Sequence, residues 1–212
     1  MKRLIRSMTL LTVLLLCLAP AASASNYDPI VLTEEEAAAV NLFLSNFTEV
    51  GMKTCECGWD DMNLVDFAHD HMWFNSNDSY EFGEYFSGNN CRVSDDRIQE
   101  IINQYFYDPY EVDLSQTRFD YADGYYYHCE TGGWTSDGFA HTVSVCPLGE
   151  DKYFVSFLIF GGGYYWENSV MDDSMEDIEA AFGHPSGYGS ALIYAPDLSD
   201  RSTHRMISFA RV

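Results

Sequence analysis

Cysteine is the residue type with the widest chemical range in this chain, and two cysteines stand one residue apart in KTCECGWDDM at positions 53–62. Disulfides, zinc sites and thiolate nucleophiles all use cysteine. A zinc site needs about four Cys or His ligands at matching spacings, and a catalytic thiol needs a histidine context that the downstream sequence does not supply. We therefore predict a disulfide from Cys91 to Cys55 or Cys57, which leaves one thiol of that pair over.

A second disulfide is predicted between Cys129 and Cys146. The dipeptide Asp137-Gly138 favours a two-residue hairpin loop between two strands. Counting back from that loop places Cys129 directly opposite Cys146, at a non-hydrogen-bonded site where side chains lie close together. A bulge at Gly132-Gly133 would shift this register and separate the two thiols.

Histidine is the other residue type suited to chemistry near neutral pH, because its ordinary pKa lies there. His71 falls on the apolar face of a predicted helix, and His141 falls on a strand face opposite Trp134 in the same hairpin register. Tyr126 and His128 share that strand face. The pattern predicts a binding pocket formed by His71, Tyr126, His128, Trp134 and His141, with core packing as the alternative for the histidines.

Asp66, His69 and Asp70 recur at the spacing of one helix face. His69 and His71 point apart on a helix, so these two histidines cannot share one metal ion. We interpret the face of Asp66, His69 and Asp70 as solvated. No segment has the spacing of a calcium loop, and we predict neither a metal nor a cofactor.

The first 24 residues are typical of a secretory signal peptide. Its parts are a positive start, an apolar stretch and a small-residue cleavage site: Lys2, Arg3 and Arg6, then Met8 to Leu18, then Ala22-Ser23-Ala24. The apolar stretch is shorter than the ~20 residues that a membrane span needs, and no later stretch is long enough. We predict cleavage near Ala24, a secreted product, and one domain over 25–212.

The charge is strongly acidic, with 33 Asp and Glu against 11 Lys and Arg and a net charge of −22. Nucleic-acid binding is excluded, since affinity for phosphate comes from cationic side chains. The aromatic share of 16% provides material for a packed core, which excludes a disordered chain. The remaining partner classes are a peptide, a protein or a small apolar ligand.

Helix signals are concentrated in the first half of the chain. Thr33-Glu34-Glu35-Glu36 forms a capping box that begins a helix over 34–49. Further helices are predicted from Asp60 or Asp61 to about Phe74, after Ser94 as far as Phe106, and after Ser174 as far as Gly183.

After residue 108 the apolar period changes from helical to alternating, which indicates strands. They are predicted near 118–130, 139–147, 152–161, 188–196 and 203–212, with a small hairpin or irregular lid over 80–93. The stretch YFVSFLIF at 153–160 is apolar at nearly every position, which predicts a central strand covered on both faces.

The tracts LSNFTEV, LVDFAHDHMWFN and VSDDRIQEIINQYF resemble those of uncharacterised exported proteins of Gram-positive bacteria. The order of elements resembles the nuclear-transport-factor-like, cystatin-like cone. This resemblance implies an α+β fold in which three N-terminal helices pack against a curved antiparallel sheet of four to six strands and leave a pocket.

These observations favour an exported, non-catalytic binding or interaction domain over an enzyme. One alternative is a small pocket enzyme, an isomerase or hydrolase that uses a histidine in the cone. Another is an extracytoplasmic inhibitor of an envelope enzyme, which would need an exposed loop such as 76–92 or 163–174.

Overall fold

The computed structural model describes residues 28–52, 59–75, 77–85, 88–109, 111–128, 137–161 and 173–212. Within these ranges the chain has an α+β fold, as predicted, built of helices and two antiparallel sheets. The predicted signal peptide and Cys55, Cys57, Cys129 and Trp134 lie outside the described residues.

The helices are α1 (Glu34–Glu49), α2 (Asp61–Asn75), α3 (Asp95–Tyr105) and α4 (Met175–Phe182). The strands are β1 (Glu81–Phe82), β2 (Cys91–Ser94), β3 (Asp120–Ala122), β4 (Tyr125–His128), β5 (Phe139–Gly149), β6 (Lys152–Phe160), β7 (Gly187–Tyr194) and β8 (Arg205–Arg211). Short 3₁₀ turns occupy Asn77–Ser79 and Arg201–Thr203.

The predicted capping box begins α1. The Thr33 backbone N–H donates to the Glu36 carboxylate at 2.8 Å, and the Glu36 N–H donates to the Thr33 hydroxyl at 3.2 Å. These bonds satisfy backbone donors that the first turn of a helix leaves unpaired. Ser94 and Ser174 begin α3 and α4 through the hydroxyl bond alone, accepting from the N–H groups of Arg97 and Asp177, so the sequence signals for these helix starts are confirmed.

Replacing Thr33 with alanine is expected to lower the free energy of unfolding by about 1 kcal/mol, because the Glu36 N–H loses its acceptor. Urea denaturation followed by circular dichroism measures the change. The Thr33→Ser variant keeps the hydroxyl and should retain most of the stability. Equal losses in the two variants would contradict the role of the cap.

The strands form two four-stranded sheets rather than the single sheet that was predicted. Their orders are β1–β2–β4–β3 and β5–β6–β7–β8. The predicted strand over 118–130 is divided by the turn Asp123-Gly124, where both residues have positive φ angles. Such a two-residue turn folds β3 back on β4. The hairpin turn that an Asp-Gly dipeptide favours is therefore found at Asp123-Gly124.

The predicted pairing of 118–130 with 139–147 does not occur among the described residues. Strand β4 has β2 and β3 as neighbours, and His128 lies opposite Cys91 instead of facing β5. The free edge of β5 is occupied by α1: the Ala140 N–H donates to the Ser45 hydroxyl at 3.0 Å, and the Thr142 N–H donates to Asn41 Oδ1 at 2.7 Å. The Ile30 N–H also donates to the Val145 carbonyl at 2.9 Å, so α1 and Ile30 bond the edge where the predicted strand partner was expected.

Large apolar side chains fill the space between the helices and the β5–β8 sheet. The predicted apolar face of α1 is confirmed as buried, with Val40, Phe43, Leu44 and Phe47 at most 1% exposed. Phe47 lies at the centre of the core and contacts aromatic rings from α2, from the end of α3 and from β8.

Strand β6 is central in its sheet, as predicted, but it is covered well on one face only. Val155, Phe157 and Ile159 point to the helices and are at most 1% exposed. On the other face Phe154 is 43% exposed. Phe160, on the same face, is 0% exposed because it packs against Phe139 and Ile178 of α4. The β5–β8 sheet therefore has an inner face that carries the core and an outer face that α4 covers at one end and leaves open elsewhere.

Candidate functional site

His71 lies inside the core. Its ring stacks on Phe67, with ring centroids 5.7 Å apart, and packs against Tyr105 at 4.5 Å. The His71 Nδ1 atom is 3.7 Å from a carboxylate oxygen of Glu49, and the Asn75 amide donates to the same Glu49 oxygen at 2.6 Å. A histidine and a carboxylate are thus adjacent, but aromatic rings take the place that a substrate would need.

Tyr126 and His128 share a face of β4, as predicted, and both are buried. The Tyr126 hydroxyl donates to the Leu114 carbonyl. The His128 ring packs edge-on against Trp73, with centroids 4.6 Å apart, and lies 3.2 Å from the Cys91 sulfur. These contacts place His128 against α2 and β2.

His141 lies on β5, in the other sheet, and is half-buried opposite Leu158. Burial lowers its pKa. Among the described residues, the structure does not bring His71, His128 and His141 into one pocket. The predicted neighbour Trp134 is outside the described ranges, so the Trp134–His141 pair stays a prediction.

The face of Asp66, His69 and Asp70 was predicted to be solvated, and this is wrong for two of the three residues. His69 is 0% exposed and Asp70 is 4% exposed. The His69 ring stacks on Phe119, with centroids 3.6 Å apart, and its Nε2 atom has no hydrogen-bond partner among the described residues. Burial lowers the pKa of His69 well below its ordinary value, and the nearby His128 and Arg118 act in the same direction.

Arg118 explains how Asp70 is tolerated in the interior. Its guanidinium donates to both carboxylate oxygens of Asp70 and lies 3.9 Å from Asp66. Burial nevertheless raises the pKa of Asp70 to about 6, against the attraction of Arg118. Within the described ranges, no group of three His, Cys, Asp or Glu side chains is arranged to hold a metal ion.

The cysteine predictions fall partly outside the described residues. Cys146 lies on the outer face of the sheet, 3.8 Å from the Ser144 hydroxyl, and forms no disulfide with another described cysteine. Its predicted partner Cys129 is not described, so that disulfide stays a prediction. Cys91 is buried beside His128, and its bridge to Cys55 or Cys57 also stays a prediction.

The outer face of the β5–β8 sheet holds a groove, which we call the outer groove. Ser144 lies opposite Ser156, Ser156 opposite Ser190, and Ser190 opposite Ala210. Side chains on one face of a sheet align in such rows. The register thus produces a row of small side chains that crosses all four strands.

Rows of larger side chains flank this small row. On one side Leu158 lies opposite Tyr188, and Val212 continues the row through backbone hydrogen bonds with Tyr188. On the other side Phe154 lies opposite Leu192. Small residues between large ones leave a depression, and its volume is about 390 Å³. The lining residues are Val143, Ser156, Phe157, Leu158, Tyr188, Gly189, Ser190, Ala210 and Val212.

The outer groove is apolar and open to solvent. Val143 is 60% exposed, Tyr188 58% and Val212 75%. Single exposed apolar residues are ordinary on a protein surface, but a contiguous apolar depression marks an interaction site. A second open depression of about 390 Å³ lies between α1 and the Arg201–Thr203 turn, but the charged side chains of Glu35, Asp200 and Arg201 line it. The outer groove has the more apolar lining of the two.

Comparison of the chain with protein-family models, with curated proteins and with solved structures finds no match. The resemblance to exported proteins of Gram-positive bacteria and to the nuclear-transport-factor-like fold therefore stays a prediction. Among the described residues, no helix has both the length and the apolar character needed to cross a membrane.

The sequence interpretation missed the outer groove, because the groove depends on pairing between strands. Ser144, Ser156 and Ser190 are unremarkable one at a time. Their alternation with apolar residues indicates which face of a strand they occupy, but only the register places them in one row. The prediction that other elements cover both faces of β6 was a second reason why the open outer face was missed.

Proposed function

We propose that this chain is an exported, non-catalytic binding domain whose ligand lies in the outer groove. The observation that carries the proposal is the open apolar depression of about 390 Å³ across β5–β8. Ligand sites in proteins have volumes of roughly 300–1,000 Å³ and mainly apolar walls. Export rests on the signal-peptide pattern of residues 1–24.

In this proposal the helices cover the inner face of the β5–β8 sheet. The fold then corresponds to a nuclear-transport-factor-like cone whose pocket is filled by the protein's own aromatic rings. The enzyme alternative needs a histidine beside a carboxylate within a pocket that a substrate can enter. His71 has the carboxylate of Glu49 nearby, but the rings of Phe67 and Tyr105 enclose it. The described surroundings of His71 therefore favour binding over catalysis.

The proposal predicts that Nile red, an uncharged apolar fluorescent probe, binds to the folded protein in the outer groove. Replacing Tyr188 with serine removes a flanking side chain, and Ser190→Phe fills the floor. Each change should weaken probe binding by about tenfold, which corresponds to about 1.4 kcal/mol. Fluorescence titration measures the affinity.

The control is Phe82→Ser, which removes a side chain of similar exposure from β1 in the other sheet. It should leave probe binding unchanged. If the control abolishes binding while both groove variants bind normally, the outer groove is not the ligand site and the proposed function fails.

A further inference from the structure

We infer that the occupant of the outer groove is an extended segment of a basic, amphipathic peptide chain. This inference rests on the proposed function, and it adds the chemical class of the ligand. It follows from the shape of the groove, from the charge of its rim and from the charge of the whole molecule.

The shape favours an extended chain. The row of small residues crosses four strands, and neighbouring strands are ~4.8 Å apart, so the floor is about 14 Å long. A chain with a rise of ~3.3 Å per residue would place roughly four residues along it. The flanking rows that hold Leu158 and Phe154 are four residues apart on β6, about 13 Å. This distance is measured along the backbone, and the flanking side chains themselves occupy part of it. The remaining width is smaller than a helix, which has a diameter of ~10–12 Å with its side chains, so a helix would lie only above the floor.

The rim is acidic at the end where α4 lies. Ile178 of α4 packs with Phe139 and Phe160, and Leu158 connects this cluster to the outer groove. The Ser186 N–H donates to the Ile159 carbonyl at 2.7 Å, which fixes the chain after α4 to the same end of β6. The exposed side of α4 and the residue before its cap carry Asp173, Glu176, Asp177 and Glu179.

Among the described residues, the carboxylates of this rim are not neutralised by ion pairs. In the described part of the chain no Lys, Arg or His side chain forms an ion pair with Asp173, Glu176 or Glu179. The three Lys and Arg side chains of the sheet are already engaged. Lys152 pairs with Glu150 at 3.1 Å, Arg211 pairs with Asp137 at 3.3 Å, and Arg205 donates to the backbone carbonyls of Ser202 and His204. A ligand with positive charges beside its apolar side chains therefore complements the site.

The net charge argues against a second copy of this chain as the occupant. Each molecule carries a net charge of −22, and apposing two outer faces would bring two acidic α4 rims together. Like charges across an interface raise its free energy and slow association. A cationic partner gains from the same field that opposes self-association.

Three eight-residue peptides test the inference: alternating valine–lysine, valine–glutamine and valine–glutamate. Isothermal titration calorimetry at low salt should give the lysine peptide about tenfold higher affinity than the glutamine peptide. The glutamate peptide should bind more weakly than both. At 0.5 M salt the advantage of the lysine peptide should largely disappear, because salt screens exposed charges.

The acidic rim is tested by Asp173→Asn, Glu176→Gln and Glu179→Gln combined, which spares the Ser174 cap and Asp177. This triple variant should reduce the tenfold advantage of the lysine peptide to about twofold. The matched control removes the same number of charges away from α4, through Glu84→Gln, Asp96→Asn and Glu111→Gln. The control should keep the advantage.

Several outcomes overturn the inference. Equal affinities for the lysine and glutamine peptides, or equal effects of the two triple variants, would show that the α4 rim does not select charge. Self-association in sedimentation that Tyr188→Ser abolishes would make a second copy the occupant. If the apolar probe binds in the groove but no peptide does, the ligand class is wrong while the proposed function stands. If the probe does not bind either, the proposed function itself fails.

Discussion

Replacing Phe47 with alanine is expected to lower the free energy of unfolding by about 4 kcal/mol. The Phe47 side chain is 0% exposed, and its ring lies 4.6 Å from that of Phe67 and 5.8 Å from those of Phe106 and Phe209, measured between centroids. The substitution removes contacts to three other parts of the fold and leaves a cavity that close-packed neighbours cannot fill.

The size of this effect follows from the position of Phe47 between the helices and the sheet. A domain of this kind has a total stability of only about 5–15 kcal/mol, so the variant should be close to unfolding at physiological temperature. Chemical denaturation at 25 °C measures the midpoint and the slope. We expect a lower midpoint with an unchanged slope, since the surface exposed on unfolding is nearly the same.

The matched control is Phe154→Ala, which removes the same side chain from the outer face, where it is 43% exposed. This variant should lose less than about 1 kcal/mol. If the two alanine variants lose equal stability, the core is not centred on Phe47. The milder change Phe47→Leu should fall between them, because it removes less volume.

The helices could be predicted from the sequence because their signals are local. Thr33 and Glu36 are three residues apart, and α1 extends over Glu34–Glu49 as predicted. Ser174 begins α4, and Gly183, with a φ of 80°, follows its last residue. Caps and periodicity act within a few residues, so no knowledge of distant partners is needed.

The pairing of strands could not be predicted in the same way, because alternation specifies the faces of a strand but not its neighbours. The dipeptides Asp123-Gly124 and Asp137-Gly138 carry the same hairpin signal. The first joins β3 to β4. The second precedes a strand whose free edge is held by Asn41 and Ser45 of α1. Buried polar side chains of a helix bonded to a strand edge leave no signal in hydrophobic periodicity.

The same limit applies to the candidate sites. The burial of His69 depends on Phe119 and His128, which are distant in sequence, and the burial of Asp70 depends on Arg118. The outer groove depends on the register of four strands. The sequence did predict the residue types: aromatic side chains in the core, acidic side chains on the surface, and apolar side chains on both faces of β6.

Acid is expected to destabilise the protein through its buried histidines. Burial lowers the pKa of His128 from 6.5 to about 4 and lowers that of His69 as well. Between pH 6.5 and about 4, the unfolded chain therefore binds protons at these positions that the folded protein does not bind. Protons then favour the unfolded state, and the free energy of unfolding falls as the pH falls through this window.

Asp70 acts in the opposite direction. Its pKa is raised from 3.8 to about 6, so between these values the folded protein holds a proton that the unfolded chain has released. This proton stabilises the folded state as the pH falls. Protonation of His69 and His128 lowers the free energy of unfolding, whereas protonation of Asp70 raises it. The pKa values of His141 and His204 are also lowered, so these two histidines add to the loss. The net expectation is a loss of stability on acidification.

The variants His128→Phe and His69→Phe separate these contributions, since phenylalanine keeps an aromatic ring and cannot be protonated. Between pH 7 and 4, His128→Phe should lose less stability than the unmodified protein, by a difference on the order of 2–3 kcal/mol. His69→Phe should also flatten the pH dependence. Among the described residues it gives up no hydrogen bond at Nε2, and at Nδ1 it loses the contact with the Tyr80 hydroxyl at 3.3 Å. Urea denaturation at several pH values provides the curves, and His184→Phe, at an exposed position, is the control.

If His128→Phe and His69→Phe show the same pH dependence as the His184→Phe control, acid acts elsewhere in the molecule. The absolute stability at pH 7 does not enter this comparison, so a packing change caused by the larger ring cannot imitate the result.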